Sequence, residues 1–459
     1  MTELPEPIKH LYPPRGPGES LPLYEGPVTL AFRTGVTSGD GIVFCAWQPS
    51  PHVRWEAVCD QLPVPDPLPN PFVLAAEDFL DSKIRLPNTD LVPGAPSSIA
   101  TLASSMWNSE GWLGLQVLGT QDETTDVATT VTFLIPNLPR QLPASPVRAG
   151  TRTYAARTEW RAGDWIVEIE ASRNIDDITS SLRRNGGHAA THTGRLARLD
   201  GSSFSRAEAS RVLEAIRATL TLAIGRRTAP LLPVGLDASE NPVWTEWAPL
   251  VVDPWTGSPS MLSSGFPEQL PELFQRITQA FVDPIEQAII TRSVFYFVEA
   301  NDPSPIDMAV VAAQAGLELL AYSALVESGQ ITSPEYRKLN ADEAMRRLLS
   351  QSSIDVALPA NLSELPRVLT TLDANGGTTS KDGPEVLARM RNGVIHPSRK
   401  KPTFTTAEWI DAWRLSQHYL QLAILARLGY TGMHRDPISD VRLEGSADPV
   451  PWTSSTITT

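Results

Sequence analysis

The chain lacks the signatures of several common chemistries. It has no glycine-rich phosphate loop, no Gly-x-Ser-x-Gly nucleophile elbow and no His-Glu-x-x-His pair. That removes the usual sequence-level grounds for phosphate-loop nucleotide hydrolysis, serine hydrolysis and zinc proteolysis. Only Cys45 and Cys59 carry thiols, and their spacing is not that of a zinc site. Both are expected as buried free thiols in a reducing compartment. No run approaches 18 uninterrupted apolar residues, so no membrane span is expected. The first residues lack the basic and then apolar pattern of a secretory leader, so the expected location is the cytoplasm. Basic residues are also in deficit, 38 against 52 acidic, for a formal net charge of −14. The long-range field therefore repels polyanions, and any nucleic-acid contact must be local.

What is present is an ordinary globular composition over 459 residues, enough for two or three domains at about 150 residues each. Prolines number 41 and gather early. Residues 1–25 read as a Pro-rich extended segment without a core of its own. Pro63 to Pro71 reads as a long surface loop.

The pattern changes near residue 255. Before it, short runs of β-formers alternate with turn residues: Val28–Phe32, Gly41–Trp47, Leu113–Leu118, Val131–Ile135 and Trp165–Glu170. Trp165, Val167 and Ile169 alternate with Ile166, Glu168 and Glu170, the period of a half-buried strand. One clear helix opens at the Ser205-Arg206-Ala207-Glu208 capping box and stops at Gly225. Trp244, Trp247 and Trp255 are expected to pack a seam between domains. After Met261 the pattern is helical. Helices are expected over Pro271–Ala300 with a kink at Pro284, after Pro305, over Ala341–Leu349, from Pro384 to His396, and from the Thr405-Thr406-Ala407-Glu408 box to Gly429. The fold expected is α+β in two domains. Residues 26–255 form a β-rich sensing or interaction domain, built as an antiparallel sandwich or bent sheet with one long helix. Residues 261–435 form a helical bundle, and 446–459 a flexible tail.

Chemistry concentrates in Gly383-Pro384-Glu385-Val386-Leu387-Ala388-Arg389-Met390-Arg391-Asn392-Gly393-Val394-Ile395-His396-Pro397. Val386, Met390 and Val394 make one apolar stripe that docks the helix. Asn392 and His396 are four apart and share a face. Arg391 lies about 100° round, within reach of the same space. Pro397 disfavours helix at His396 and puts the imidazole at the C-terminal end, where the helix dipole favours its protonated form. A histidine can serve as acid or base on a ribose hydroxyl or leaving oxygen, an arginine can hold a phosphate, and an asparagine can orient the imidazole. No carboxylate cluster suggests a metal, and no cofactor is expected. Arg389, Arg391, Arg399, Lys400 and Lys401 form a local basic run without an acidic residue, a candidate phosphate-tracking patch; a solvated loop is the plain reading.

Arg391-Asn392, three further residues and His396 resemble the signature of the HEPN superfamily: Arg, a polar residue, then His a short spacing on. The resemblance spans roughly Leu270 to Leu428. It implies a helical bundle, and a preceding helix with Gln314 and Glu318 against the motif, Glu318 placed to pair with Arg391. It implies metal-independent RNA cleavage at Arg391, Asn392 and His396, composite sites across a homodimer formed through the bundle, and a setting of toxins or antiviral defence. Thr191-His192-Thr193-Gly194, Trp244-Thr245-Glu246-Trp247, Gly429-Tyr430-Thr431-Gly432 and Val450-Pro451-Trp452 look like pieces of bacterial proteins that join a β-rich half to such a bundle, an architecture with no settled biochemical function. The β-rich domain would then meet a trigger or protein partner.

Two alternatives stay open. The bundle could be a non-catalytic dimerisation, nucleotide-binding or partner-binding module. Otherwise the β-rich half could bind a ligand near His192 and Arg195. Arg183 to His188 repeats the Arg–His spacing, but in a Gly-rich loop without a helical stripe, and is read as chance. His188 and His192 are four apart, yet Gly186 and Gly187 argue against the helix a metal pair would need. His418, among Trp and Leu neighbours, is read as structural.

Overall fold

The structure is a computed structural model. It describes residues 4–32, 35–59, 83–87, 89–91, 93–103, 106–119, 124, 126–140, 144–248, 251–257, 259–263, 265–302, 305–374, 378–396, 402–440, 443 and 445–456. The Pro63–Pro71 stretch lies outside them. The fold is α+β, β-rich first and helical afterwards. The chain forms two compact units. One comprises Met1–Glu159, Asp164–Glu214 and Thr228–Thr256; the other comprises Trp160–Gly163, Ala215–Arg227 and Gly257–Thr459.

The first unit is built on two sheets. Strands β1 (Leu21–Phe32), β2 (Gly35–Ala46), β3 (His52–Cys59), β4 (Lys83–Leu86), β5 (Thr89–Leu91), β6 (Pro93–Ala103) and β7 (Met106–Leu113) pair in the order β5-β4-β1-β2-β3-β7-β6. The larger sheet draws on β8 (Gln116–Leu118), β10 (Thr130–Pro136), β11 (Ser145–Ala149), β12 (Arg152–Ala162), β13 (Trp165–Ala171), β14 (Ala190–Arg198), β16 (Leu231–Leu236) and β17 (Pro242–Trp247), while β9 (Val127–Ala128) and β15 (Phe204–Ser205) pair separately. The large sheet's order is β11-β12-β13-β14-β10-β16-β17-β8. Val28, Val43 and Trp55 of the first sheet share one core with Leu134, Val234 and Trp247 of the second. In β13 Trp165, Val167 and Ile169 are buried as expected, but the alternation ends there, since Glu170 is buried as well.

Helix α1 (Ile175–Asn185) was not anticipated. Arg183 and Asn185 therefore lie on a helix, not in the expected loop, and His188 follows it, buried against the Val252 carbonyl at 3.1 Å. Helix α2 (Arg206–Ile224) opens at the expected Ser205 box, with Glu208 reaching back to the Ser205 N–H at 2.9 Å, and ends before Gly225 at φ +70°. The N-terminal segment is extended but not without a core: Tyr12 and Leu21 are buried, and the Trp247 indole N–H donates to the Tyr12 hydroxyl at 3.0 Å. Trp244 and Trp247 are buried, Trp247 within the two-sheet core of this unit, and Trp255 packs on Ile178, Leu182 and Ala189. Cys45 and Cys59 are buried free thiols.

The second unit holds α3 (Gln269–Ala280), α4 (Pro284–Asn301), α5 (Ile306–Tyr322) continuing through a π turn (Ser323–Glu327), α6 (Ser333–Tyr336), α7 (Ala341–Gln351), α8 (Leu365–Ala374), α9 (Gly383–Ile395) and α10 (Thr406–Arg427). The long helix expected over Pro271–Ala300 is broken, not kinked. Asp283 accepts the Ile285 N–H at 2.8 Å and Pro284 takes the first turn, so the chain stops and caps anew. Helix α5 is central, packing on α4, α7, α9 and α10. At Gly316 a Cβ would meet Leu420 at 2.9 Å and Tyr296 at 3.1 Å, so the missing side chain lets three helices approach. The span Ile306–Glu327, of mean hydropathy 1.6, is long and apolar enough to cross a membrane; its hydropathy goes with burial of Ala313, Leu317, Leu320 and Ala321 inside the bundle. The expected loose tail is partly ordered. Strand β18 (Met433–His434) pairs with β19 (Asp448–Pro449), Val450 is fully buried, and the Trp452 indole donates to the Tyr430 carbonyl at 2.7 Å.

Candidate functional site

The start of α9 is fixed by several groups. Asp382 caps it, accepting the Glu385 N–H at 3.0 Å, and also takes the Arg346 Nε–H at 2.6 Å. Pro384 occupies the first turn. Glu385 is buried and accepts the N–H groups of Ser380 and Lys381 at 2.8 and 2.9 Å. Burial pushes the Glu385 carboxyl up, but these backbone bonds and Arg389 outweigh it and hold it below its usual range. Val386 and Met390 are fully buried and Val394 half-buried, so the expected stripe docks the helix.

The far end of α9 carries the motif. Helical geometry stops at Ile395. His396 is exposed, and its backbone N–H still reaches the Asn392 carbonyl at 3.2 Å. Arg391 is half-buried. Its Nη2 sits 3.0 Å from the Glu318 carboxylate and its Nη1 donates to Asn392 Oδ1 at 3.5 Å, while its buried Nε has no partner. One turn before Glu318 on α5, Gln314 is fully buried and donates from Nε2 to the Leu387 carbonyl at 2.6 Å; its Oε1 has no partner. The α5 face expected against the motif is therefore there, with Glu318 paired to Arg391.

The basic patch is not free along its length. Arg389 is tied to Glu385 at 3.0 Å, and Arg399, Lys400 and Lys401 lie outside the described residues. Among the described residues, no group of three or more His, Cys, Asp and Glu could hold a metal ion.

His192 and Arg195 do not form one site. They are three apart on β14, an odd spacing that sends them to opposite faces. His192 is fully buried beside the Thr191 hydroxyl at 3.1 Å, and burial pushes its pKa down to about 3. Arg195 faces a cavity of about 440 Å³ in the first unit, where it pairs with Glu168. Arg157 lines the same cavity and is spent on Glu168 and Glu170. His418 is buried, its Nδ1 2.7 Å from Asp436. The sequence reading missed Arg346 and Asp382, which seat α9; the Asp-Gly-Pro run before the helix was the available signal.

Residues 123–258 match the family described as the YopA central domain, and residues 283–447 match the YopA C-terminal domain. Among curated proteins, the chain is similar to an SPbeta prophage-derived uncharacterized protein YopA of Bacillus subtilis (strain 168). The two are 25% identical over 307 residues, 66% of this chain and 67% of that protein. No solved structure matches the chain.

Proposed function

We propose that the helical unit is a HEPN-type, metal-independent endoribonuclease that works as a homodimer in the cytoplasm. The observation that carries this reading is the pairing of Arg391 with Glu318 at 3.0 Å, beside a helix end where His396 stands exposed. A buried and fully bonded pair would leave no chemistry to do; here the imidazole is open and the Arg391 side chain stays 20% exposed.

In this reading a ribose 2′-hydroxyl attacks the adjacent phosphorus. His396 takes its proton, and the bond from phosphorus to the 5′-oxygen breaks. A proton returns to the leaving 5′-oxygen from the second protomer's histidine. Arg391 binds the phosphate and offsets charge gained in the transition state. Asn392 steadies the arginine end of the site, to judge by its contact with Nη1. Glu318 holds Arg391 in place before RNA arrives. The products carry a 2′,3′-cyclic phosphate and a 5′-hydroxyl. The first unit senses a trigger or partner. The relative's description as prophage-derived supports a setting in phage biology or defence. End chemistry tests the proposal: cleaved RNA should accept a 5′ label from polynucleotide kinase without prior phosphatase. Fragments bearing 5′-phosphates would refute it.

A second reading rests on one observation. Glu318 neutralises Arg391, which suits a structural network in a non-catalytic dimerisation or partner-binding module. It predicts a folded dimer that leaves RNA intact and loses stability when either partner is removed.

A further inference from the structure

The second unit contains a separate cavity of about 290 Å³ between α4, α10 and the segment after α10. Phe297 and Trp413 give it apolar walls. The polar side chains on it are unusual for such a buried position. Asn301, Gln417 and Gln421 are all almost fully buried. Asn301 is spent on the carbonyls of Gly225 and Pro259 and accepts from Gln417 Nε2 at 3.2 Å. That orientation leaves Gln417 Oε1 buried with no partner. A buried acceptor without a donor is costly, so the wall calls for an N–H or O–H from a bound molecule.

Opposite charges stand on the same cavity. Among the described residues no group pairs with the Arg435 guanidinium, which lines it, whereas Arg414 is taken up by the Pro437 and Ile438 carbonyls. Asp436 also lines it. Its Oδ1 is held by His418 and the Ile438 N–H, which fixes the carboxylate and leaves Oδ2 for a ligand. Burial raises the Asp436 carboxyl, but the histidine and backbone contacts prevail and keep it ionised at neutral pH. One cavity thus presents a free cation, a fixed anion, an unsatisfied acceptor and an aromatic wall.

We propose that this cavity binds a free α-amino acid with an apolar side chain. The ligand carboxylate meets Arg435, its ammonium meets Asp436 and Gln417 Oε1, and its side chain lies against Phe297 and Trp413. The volume sits at the lower end of small-molecule sites, which matches a single amino acid and excludes a peptide of several residues. The inference does not rest on the nuclease reading.

The test is calorimetric titration of the full chain with L-leucine and L-phenylalanine. Their carboxamides, which lack the carboxylate, and their N-acetyl forms, which lack the ammonium, serve as paired probes. The expected result is binding of a parent amino acid, with each capped form weaker by about tenfold or more through loss of a charge-assisted hydrogen bond. Arg435→Ala, at a partly exposed position, should weaken the parent by about tenfold and keep the wild-type melting curve. Gln417→Met should weaken the parent and the carboxamide alike. No binding of either parent up to about 10 mM, a range that covers very weak sites, would overturn the proposal. So would equal affinity for capped and uncapped forms, or wild-type affinity in a folded Arg435→Ala protein.

Discussion

Arg391 is the residue on which the account turns, because its environment is both built and incomplete. Glu318 holds one end, Asn392 touches the other, and Nε is buried without a partner. The Arg391–Glu318 pair is partly solvent-screened, with side chains 20% and 36% exposed, so its effect on stability is within about 1 kcal/mol. Glu318→Gln should therefore leave the melting curve near wild type yet slow RNA cleavage by about tenfold, because the arginine loses its tether; a kinetic gel assay beside calorimetry checks both. Arg391→Ala should slow cleavage by about a hundredfold or more, the scale for removing a group that stabilises transition-state charge. Faster cleavage in Glu318→Gln would instead make the carboxylate a brake. At this scale the motif was legible because Arg391 and Asn392 sit on one docked helix and His396 stands just past its end. The pairing of His192 with Arg195 was misread because sequence proximity was weighed without strand parity, and Arg389 looked free because the basic run was read from Arg389 onward, while its partner Glu385 lies one turn before it.

Elements were legible where they carry their own punctuation. The capping boxes at Ser205 and Thr405 gave both helix starts, and Thr405 forms both reciprocal bonds with Glu408. Helix α1 was overlooked although Ile175, Ile178 and Leu182 are buried at helical spacing, with Asp176 and Asp177 first and Arg183 and Arg184 last. Its shortness between two strands hid it. The order in the tail was not legible at all, since Val450 and Trp452 are held by distant groups such as Tyr430. The seating of α9 gives a test at this scale. A Cβ at Gly383 would stand 2.2 Å from the hydroxyl of Tyr419, a fully buried side chain with little room to yield. Gly383→Ala should destabilise the protein by about 1–3 kcal/mol, as overpacking does, read by urea denaturation. Because α9 carries the motif, cleavage should fall as well. A neutral effect on both would mean that α9 is seated otherwise.

For the molecule as a whole, burial lowers several histidines, His10, His52 and His188 among them, and the largest shifts fall on two, His192 and His434, one in each unit. Burial lowers His192 from 6.5 to about 3; it lowers His434 to about 4, against the opposing pull of Asp436. Unfolded, each titrates near its ordinary value. As pH falls below about 6.5 the unfolded chain takes up protons that the folded chain refuses, so stability drops until the folded values are reached. The loss approaches about 1.4 kcal/mol per pH unit for each histidine in that window, and neither adds a slope above pH 7. Urea midpoints at pH 7.5 and 5 should differ accordingly, and His192→Gln should flatten the difference. The broad α+β division was legible because period-two and helical patterns change over near residue 255. The two-sheet core was not, because among the described residues β1 to β7 share it with later strands through residues far apart in sequence, such as Val43 and Leu134. The proposed homodimer predicts twice the chain mass in light scattering at micromolar protein, and a monomer at all concentrations would remove the second histidine from the mechanism.

The most direct test of the central claim is to incubate purified protein and its His396→Ala variant with total RNA in excess chelator and follow cleavage on a denaturing gel. His396 is exposed at a helix end, so the variant should fold as wild type does. The account predicts cleavage by wild type without metal and none by the variant. Equal cleavage by both, or a wild type that cuts only when a divalent metal is restored, would contradict it.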